Sequence, residues 1–307
     1  MENKVVYLLR HLGAPQKKES RIRSYNQAIK EAEKHFGIYI YQQPFGQKKI
    51  AEHITNRFFF RFPRYVNDQI KAARIGESVL LGVEISYGQF GDFFSPEPVY
   101  SFPSSLFSKK GYVTMSEIRK YEETKPYGHR TAEFSDDIFS ACWITRGNVE
   151  NAWRIARALY DDQNLFNGAN FLQSSQEKFY VWPGQLSDII GDNSTARTGW
   201  EQSRLEDTLI NIYKTIEAVI GDIPKDDRKY FKKLVQKGID PHELVGYSCK
   251  RELHSLIREI NSERDKKSAH GKTPNRKIKI GDILEYQACA RHVLIWAIEN
   301  QLGKKIF

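Results

Sequence analysis

The stretch ERDKKSAHGKTPNR, residues 263–276, places an arginine, an aspartate and a histidine within seven positions, as Arg264, Asp265 and His270. Arginine presents a rigid fork of donors to charge that builds on phosphoryl oxygens, and histidine gives or takes a proton near neutral pH. Such a pair suits phosphodiester cleavage without a metal, because RNA carries its own nucleophile in the 2′-hydroxyl. Asp265 repels phosphate, so its part is to orient Arg264 or His270 by hydrogen bonding, or to cap the break in the chain. Lys266, Lys267, Lys272, Arg276, Lys277 and Lys279 would hold an RNA backbone without reading its bases. A solvated charged loop has the same composition, so these lysines and arginines alone do not decide between the two.

The elements before this stretch must position the pair. HELVGYSCKRELHSLIREINSERD reads as a helix with Cys249, Leu253, Leu256, Ile257 and Ile260 on one stripe, and Arg264 falls one turn further along it. On an unbroken helix His270 would lie about 120° around the axis from Arg264 and roughly 9 Å along it. Gly271 and Thr273-Pro274 supply the break that lets His270 return toward Arg264, or lets both face a second subunit. Three further amphipathic helices are expected nearby. One runs over 200–221 with Leu205, Leu209, Ile212, Ile216 and Val219 inward. A short one spans Asp226 to Gln236, between Pro224 and Gly238, and a last one covers 281–303 with Asp282 as N-cap and Gly303 as stop.

Together these features resemble the HEPN family. Arg264 to His270 matches its arginine, polar residue, four residues, histidine motif, with Gly271 following, and TLINIYKTIEAVIG with Lys214 and Glu217 is similar to the first bundle helix of many members. The resemblance covers residues 198 to 303. It implies a homodimeric, metal-independent endoribonuclease, a hydrolase of toxin or antiphage (antiviral) defence type, with paired motifs meeting at the dimer interface. Carried over, the catalytic residues are Arg264 and His270, with Asp265 as the intervening polar residue; no metal and no cofactor is implied. Other members lack cleavage and bind RNA or nucleotides, or partner nucleotidyltransferases, so a non-catalytic RNA-, nucleotide- or protein-binding module is the alternative.

The remaining chain gives context. Its 307 residues hold 47 Lys and Arg against 38 Asp and Glu, a formal charge of +9 that favours a polyanionic partner by long-range attraction. No apolar run approaches the roughly 20 residues that cross a bilayer, and the first residues lack the pattern of a signal peptide, so a cytoplasmic protein without membrane contact is expected. P-loop, dinucleotide-fingerprint and HExxH patterns are absent from the sequence. Cys142, Cys249 and Cys289 are too scattered for a zinc site or a disulfide scaffold and read as buried helical thiols. His254 and His292 sit in helical stretches; His254 could join the Arg264 surface only through tertiary packing, His292 suits a packed or interfacial position, and Lys214 and Glu217 read as a local pair.

The expected fold class is α+β: a mixed α/β N-terminal region followed by an all-α HEPN-like bundle. Residues 1–133 form the sensor or regulatory domain, open to a protein or nucleotide ligand, 134–197 are a connecting region of helices and loops, and 198–307 form the bundle. Within the first part, Ser24 to Phe36 reads as a helix. FGIYIYQQPFG, the stretch Phe58 to Val66 and the stretch Glu77 to Phe90 read as strands. Phe58, Phe59, Phe60 and Phe62 alternate with Arg57, Arg61 and Arg64, a pattern shared by a packed strand with a charged face and by a base-stacking platform.

Overall fold

The computed structural model describes residues 4–14, 19–50, 53–61, 69–87, 100–103, 148–180, 199–224, 226–246, 249–268 and 278–306. They fall into two compact units, one reaching Tyr160 and the other running from Asp161 to the end of the chain. The dividing point lies at the C-terminal end of a helix, inside the stretch 134–197 expected to connect the two parts.

In the first unit, strands β1 (Lys4–Ala14), β2 (Tyr39–Ile50), β3 (His53–Arg61) and β4 (Tyr100–Pro103) form an antiparallel sheet in the order β2-β3-β1-β4. Val5 is opposite Arg61 on one side and Phe102 on the other, and Tyr41 is opposite Phe59. Pro44 and Pro103 both lie on edge strands, where a residue without an N–H costs the ladder least. Phe58–Arg61 therefore occupies an inner strand, while Phe62 and Arg64 lie outside the described residues.

Among the described residues of this unit are also helices α1 (Glu19–Phe36), α2 (Gln69–Tyr87) and α3 (Asn148–Asp161). Gly37 ends α1 at φ 65°, the left-handed stop expected of glycine. The stretch from Glu77, expected as a strand from its β-branched residues, is helical as far as Tyr87. Ile75, Val79, Gly82 and Ser86 are all buried, a spacing of three to four residues that only a helix turns to one side. Packing has overridden strand propensity there. Gly82 permits the close approach of α2 to α3, since a Cβ at that position would sit 2.4 Å from the Ala152 carbonyl oxygen. Arg74 donates to the Leu159 carbonyl at 3.0 Å, Arg157 pairs with Glu31 at 2.8 Å, and Phe36 meets Tyr160 edge to face.

The second unit contains α4 (Gln163–Tyr180), α5 (Gly199–Ile220), α6 (Asp227–Lys237), α7 (Leu253–Ser268) and α8 (Ile280–Leu302). Leu172, Leu209, Ile212, Ile216, Leu256, Ile260, Val293 and Leu294 are fully buried, so four helices contribute to one core. Gly168 of α4 lies against Leu294 and Ala218, and Gln287 of α8 donates to the Ser175 carbonyl at 3.2 Å. Asp226 caps α6 by accepting from the Lys229 N–H, and Gly238 closes it at φ 82°.

The fold class expected from the sequence is corrected by a hairpin. With eight helices the described residues are mostly helical, and the C-terminal helical region is not all-α. Strands β5 (Leu244–Val245) and β6 (Arg251–Glu252) form a small antiparallel ribbon within it. Gly246, at φ 141°, lets the chain turn where a Cβ would lie 2.2 Å from the Cys249 carbonyl oxygen. The helix expected to start at His242 therefore starts at Leu253. Cys249 is an exposed turn residue rather than part of an apolar stripe, while Cys289 is buried in α8 and Cys142 lies outside the described residues. Asp282 stands in the first turn of α8; Lys279 occupies the N-cap position.

Candidate functional site

Arg264 lies in the last part of α7, one turn beyond the fully buried Ile260. Its guanidinium carbon sits 3.9 Å from the centroid of the Tyr213 ring, which α5 presents from the core. Nη2 donates to Asn261 Oδ1 at 3.2 Å and to Asp265 Oδ1 at 2.5 Å. One ring face and two acceptors therefore fix the orientation of the cation. Its side chain keeps 28% of its surface exposed, so it is positioned without being sealed off.

Tyr213 is itself held. Its hydroxyl donates to Glu217 Oε1 at 3.2 Å, one turn along α5. Burial raises its pKa above the ordinary phenol value, the Glu217 carboxylate adds to the rise, and Arg264 opposes it. The phenol stays protonated as the donor the bond needs. Lys214 points elsewhere, with its ammonium 5.3 Å from the Phe171 ring centroid on α4. Lys214 and Glu217 thus serve different neighbours rather than forming the local pair expected.

The structure brings Asp265 onto Arg264. Lys266 and Lys267 lie in the last turn of α7, and Lys279 stands half-buried at the start of α8 between buried Ile278 and Ile280. His270, Lys272, Arg276 and Lys277 lie outside the described residues. Seven basic residues against two acidic ones between Glu263 and Lys279 give the segment joining α7 to α8 a strongly cationic character. Tyr213 and Asn261 are contributions the sequence reading missed. Asn261 had a signal, standing three residues before Arg264 on one helix. Tyr213 had none beyond its place on a broad apolar face.

A second cluster lies at the opposite end of α7. One donor atom from each of His242, Glu252 and His254 lies within 4.8 Å of the other two. His254 is part-exposed and joins this cluster, at the other end of α7 from Arg264. His292 is half-exposed and pairs with Glu243 at 3.1 Å. No protein family, curated protein or solved structure matches this chain.

Proposed function

We propose that the second unit is a HEPN-type module that cleaves RNA without a metal, acting in the cytoplasm as a homodimer in which two Arg264–His270 motifs share one basic cleft. The observation that carries the reading is the fixed Arg264 guanidinium, stacked on Tyr213 and bonded to Asp265 and Asn261 where α7 enters the basic segment. In this reaction a 2′-hydroxyl loses its proton to a base as its oxygen bonds to phosphorus. The bond to the 5′-oxygen breaks, and that oxygen leaves with a proton. The products are a 2′,3′-cyclic phosphate and a 5′-hydroxyl. His270 handles a proton, and Arg264 meets the charge on the phosphoryl oxygens. Asp265 orients Arg264, while the flanking lysines and arginines hold the backbone. The role fits toxin or defence effectors controlled by the first unit. Among the described residues no helix is long and apolar enough to cross a membrane.

The test is cleavage of single-stranded and structured RNA by the full chain in chelator, with end-group analysis of the products. His270→Ala is expected to abolish cutting, leaving oligomeric state and helical signal unchanged. Cutting by the variant at the parental rate would remove His270 from the reaction.

A second reading, binding without cleavage, draws on one contact. Asp265 already lies 2.5 Å from the Arg264 guanidinium and offsets part of its charge. In that case RNA or nucleotide binding weakens when the basic segment is neutralised, and no product depends on His270.

A further inference from the structure

We infer that His242, Glu252 and His254 form a binding site for one divalent transition cation of the zinc class, independent of the RNA-cleavage reading. The three residues come from three elements. His242 lies in the turn before β5, Glu252 ends β6, and His254 is in the first turn of α7. Ten residues separate His242 from Glu252 in the chain, and the Gly246 hairpin folds that interval back on itself. His242 Nδ1 then lies 3.1 Å from Glu252 Oε1, and His254 Nδ1 lies 3.5 Å from Glu252 Oε2.

The two spacings run to different oxygens of Glu252, and each is close to the separation that an ion imposes on neighbouring ligand atoms. Bonds of about 2.0–2.1 Å in tetrahedral geometry place neighbouring ligand atoms about 3.3 Å apart. The widest separation in the cluster, up to 4.8 Å, closes by rotation of exposed side chains, since His242 keeps 60% of its side-chain surface open and Glu252 keeps 45%.

The backbone holding the ligands is tied down. The His242 N–H donates to Asp240 Oδ1 at 3.0 Å, and the His254 N–H donates to the Pro241 carbonyl at 3.0 Å. The Leu253 N–H donates to the Glu243 carbonyl at 2.9 Å, and Leu244 pairs with Glu252 across the ribbon. Phe231 backs both imidazoles, with ring centroids 5.3 Å from His242 and 6.0 Å from His254. The Pro241 carbonyl also lies 3.0 Å from His254 Nδ1. Ligation through Nδ1 breaks this hydrogen bond and moves the imidazole proton to Nε2, since a neutral imidazole binds an ion through the nitrogen that carries no proton.

The donor set selects the cation. Two imidazoles and one carboxylate suit zinc, cobalt, nickel or copper, whereas magnesium and calcium take oxygen ligands. Three protein ligands leave a fourth position for water. His254 and Arg264 are ten residues apart on α7, about 15 Å along its axis, so the ion would lie away from the proposed cleavage site. Its effect would be to pin the 239–243 turn and the hairpin to the start of α7.

The experiment titrates the metal-stripped full chain with Co²⁺, followed by visible absorption, and with Zn²⁺, followed by calorimetry. One saturable equivalent per chain is expected, together with a rise in the unfolding midpoint. His242→Ala and Glu252→Gln should each weaken binding at least about tenfold. Both substituted side chains are exposed, so the ion-free midpoints of the two variants should stay near the parental one, which separates a lost ligand from a lost fold. Absence of saturable uptake by the parent, or uptake unchanged in both variants, overturns the site. RNA cleavage is assayed in chelator, where this site holds no ion, so either proposal can fail alone.

Discussion

The two ends of α7 each carry a charged cluster, and the two are built in opposite ways. At the C-terminal end, Arg264, Asp265 and Asn261 are neighbours in sequence, and α5 adds only the ring of Tyr213. At the N-terminal end, His242, Glu252 and His254 meet because a glycine turn and a two-residue ribbon bring them together. A cluster drawn from one helix depends on what packs beneath it, and a cluster drawn from a hairpin depends on the turn. The two ends should therefore fail independently, each to a different substitution.

The largest effect is expected at the arginine end. Tyr213 is 4% exposed, and Tyr213→Ala removes a core ring together with the platform under Arg264. Truncating a buried aromatic costs about 3–5 kcal/mol, which a urea titration of the full chain would read as a lower midpoint for the second unit. Gly246→Val is the counterpart at the histidine end. Its φ of 141° and the 2.2 Å approach to the Cys249 oxygen leave no room for a side chain, and the expected loss is about 3 kcal/mol. That variant should abolish Co²⁺ uptake while leaving RNA binding or cleavage in place under conditions where it is folded. Equal damage to both activities by Gly246→Val would show that the ends are coupled through α7.

The difference in construction also explains what the sequence could disclose. Helix α6 was legible to its caps, because Asp226 and Gly238 are local signals for local bonds. The stripe ending at Ile260, and Arg264 one turn beyond it, were legible for the same reason. The hairpin was not. HELVGYSCKRELH carries apolar residues at spacings compatible with a helix, and the decisive fact is that Gly246 adopts a backbone angle closed to other residues. Without the hairpin, His242 lies ten residues from Glu252 and twelve from His254, and nothing brings it to them. The α2 segment failed by the same logic, since its Val and Ile favour strands in isolation and only burial against neighbouring helices selects the helix. Tyr213 could not be distinguished from any other inward residue of α5 until α7 was seen to lay a guanidinium across it.

A smaller effect separates the charge of Arg264 from its shape. Arg264→Lys keeps a cation but loses the planar fork and the stacking on Tyr213. Since the side chain is partly exposed, the expected stability loss is about 1 kcal/mol or less. The fall in cleavage should be much larger, because a point charge cannot reproduce two directed bonds to phosphoryl oxygens. Cleavage that falls only in proportion to stability would make Arg264 a packing residue.

The smallest effect is a dependence on alkaline pH, and it favours one end. Burial raises the pKa values of Tyr213, Tyr230, Tyr286 and Cys289, the last three more strongly. Each group holds its proton in the folded protein at a pH where the unfolded chain has released it. The unfolded state then binds fewer protons, so stability falls as pH climbs through the ordinary phenol and thiol range of about 8.5–10 and beyond. Tyr230 lies beneath Arg258 of α7 and Arg251 of the ribbon acts electrostatically on Cys289, which puts part of the alkaline loss toward the histidine end, while Glu259 and Glu263 act on Tyr286 along α7. Tyr213→Phe retains the ring and deletes only the hydroxyl bonded to Glu217. It should lower the unfolding free energy from urea titration near neutral pH by no more than about 1.5 kcal/mol, and should lessen the further loss near pH 10.5 only slightly. Tyr230→Phe should lessen that loss more, because the group it removes is more deeply buried and more strongly shifted. The reverse order would place the alkaline sensitivity at the arginine end and remove this distinction between the two.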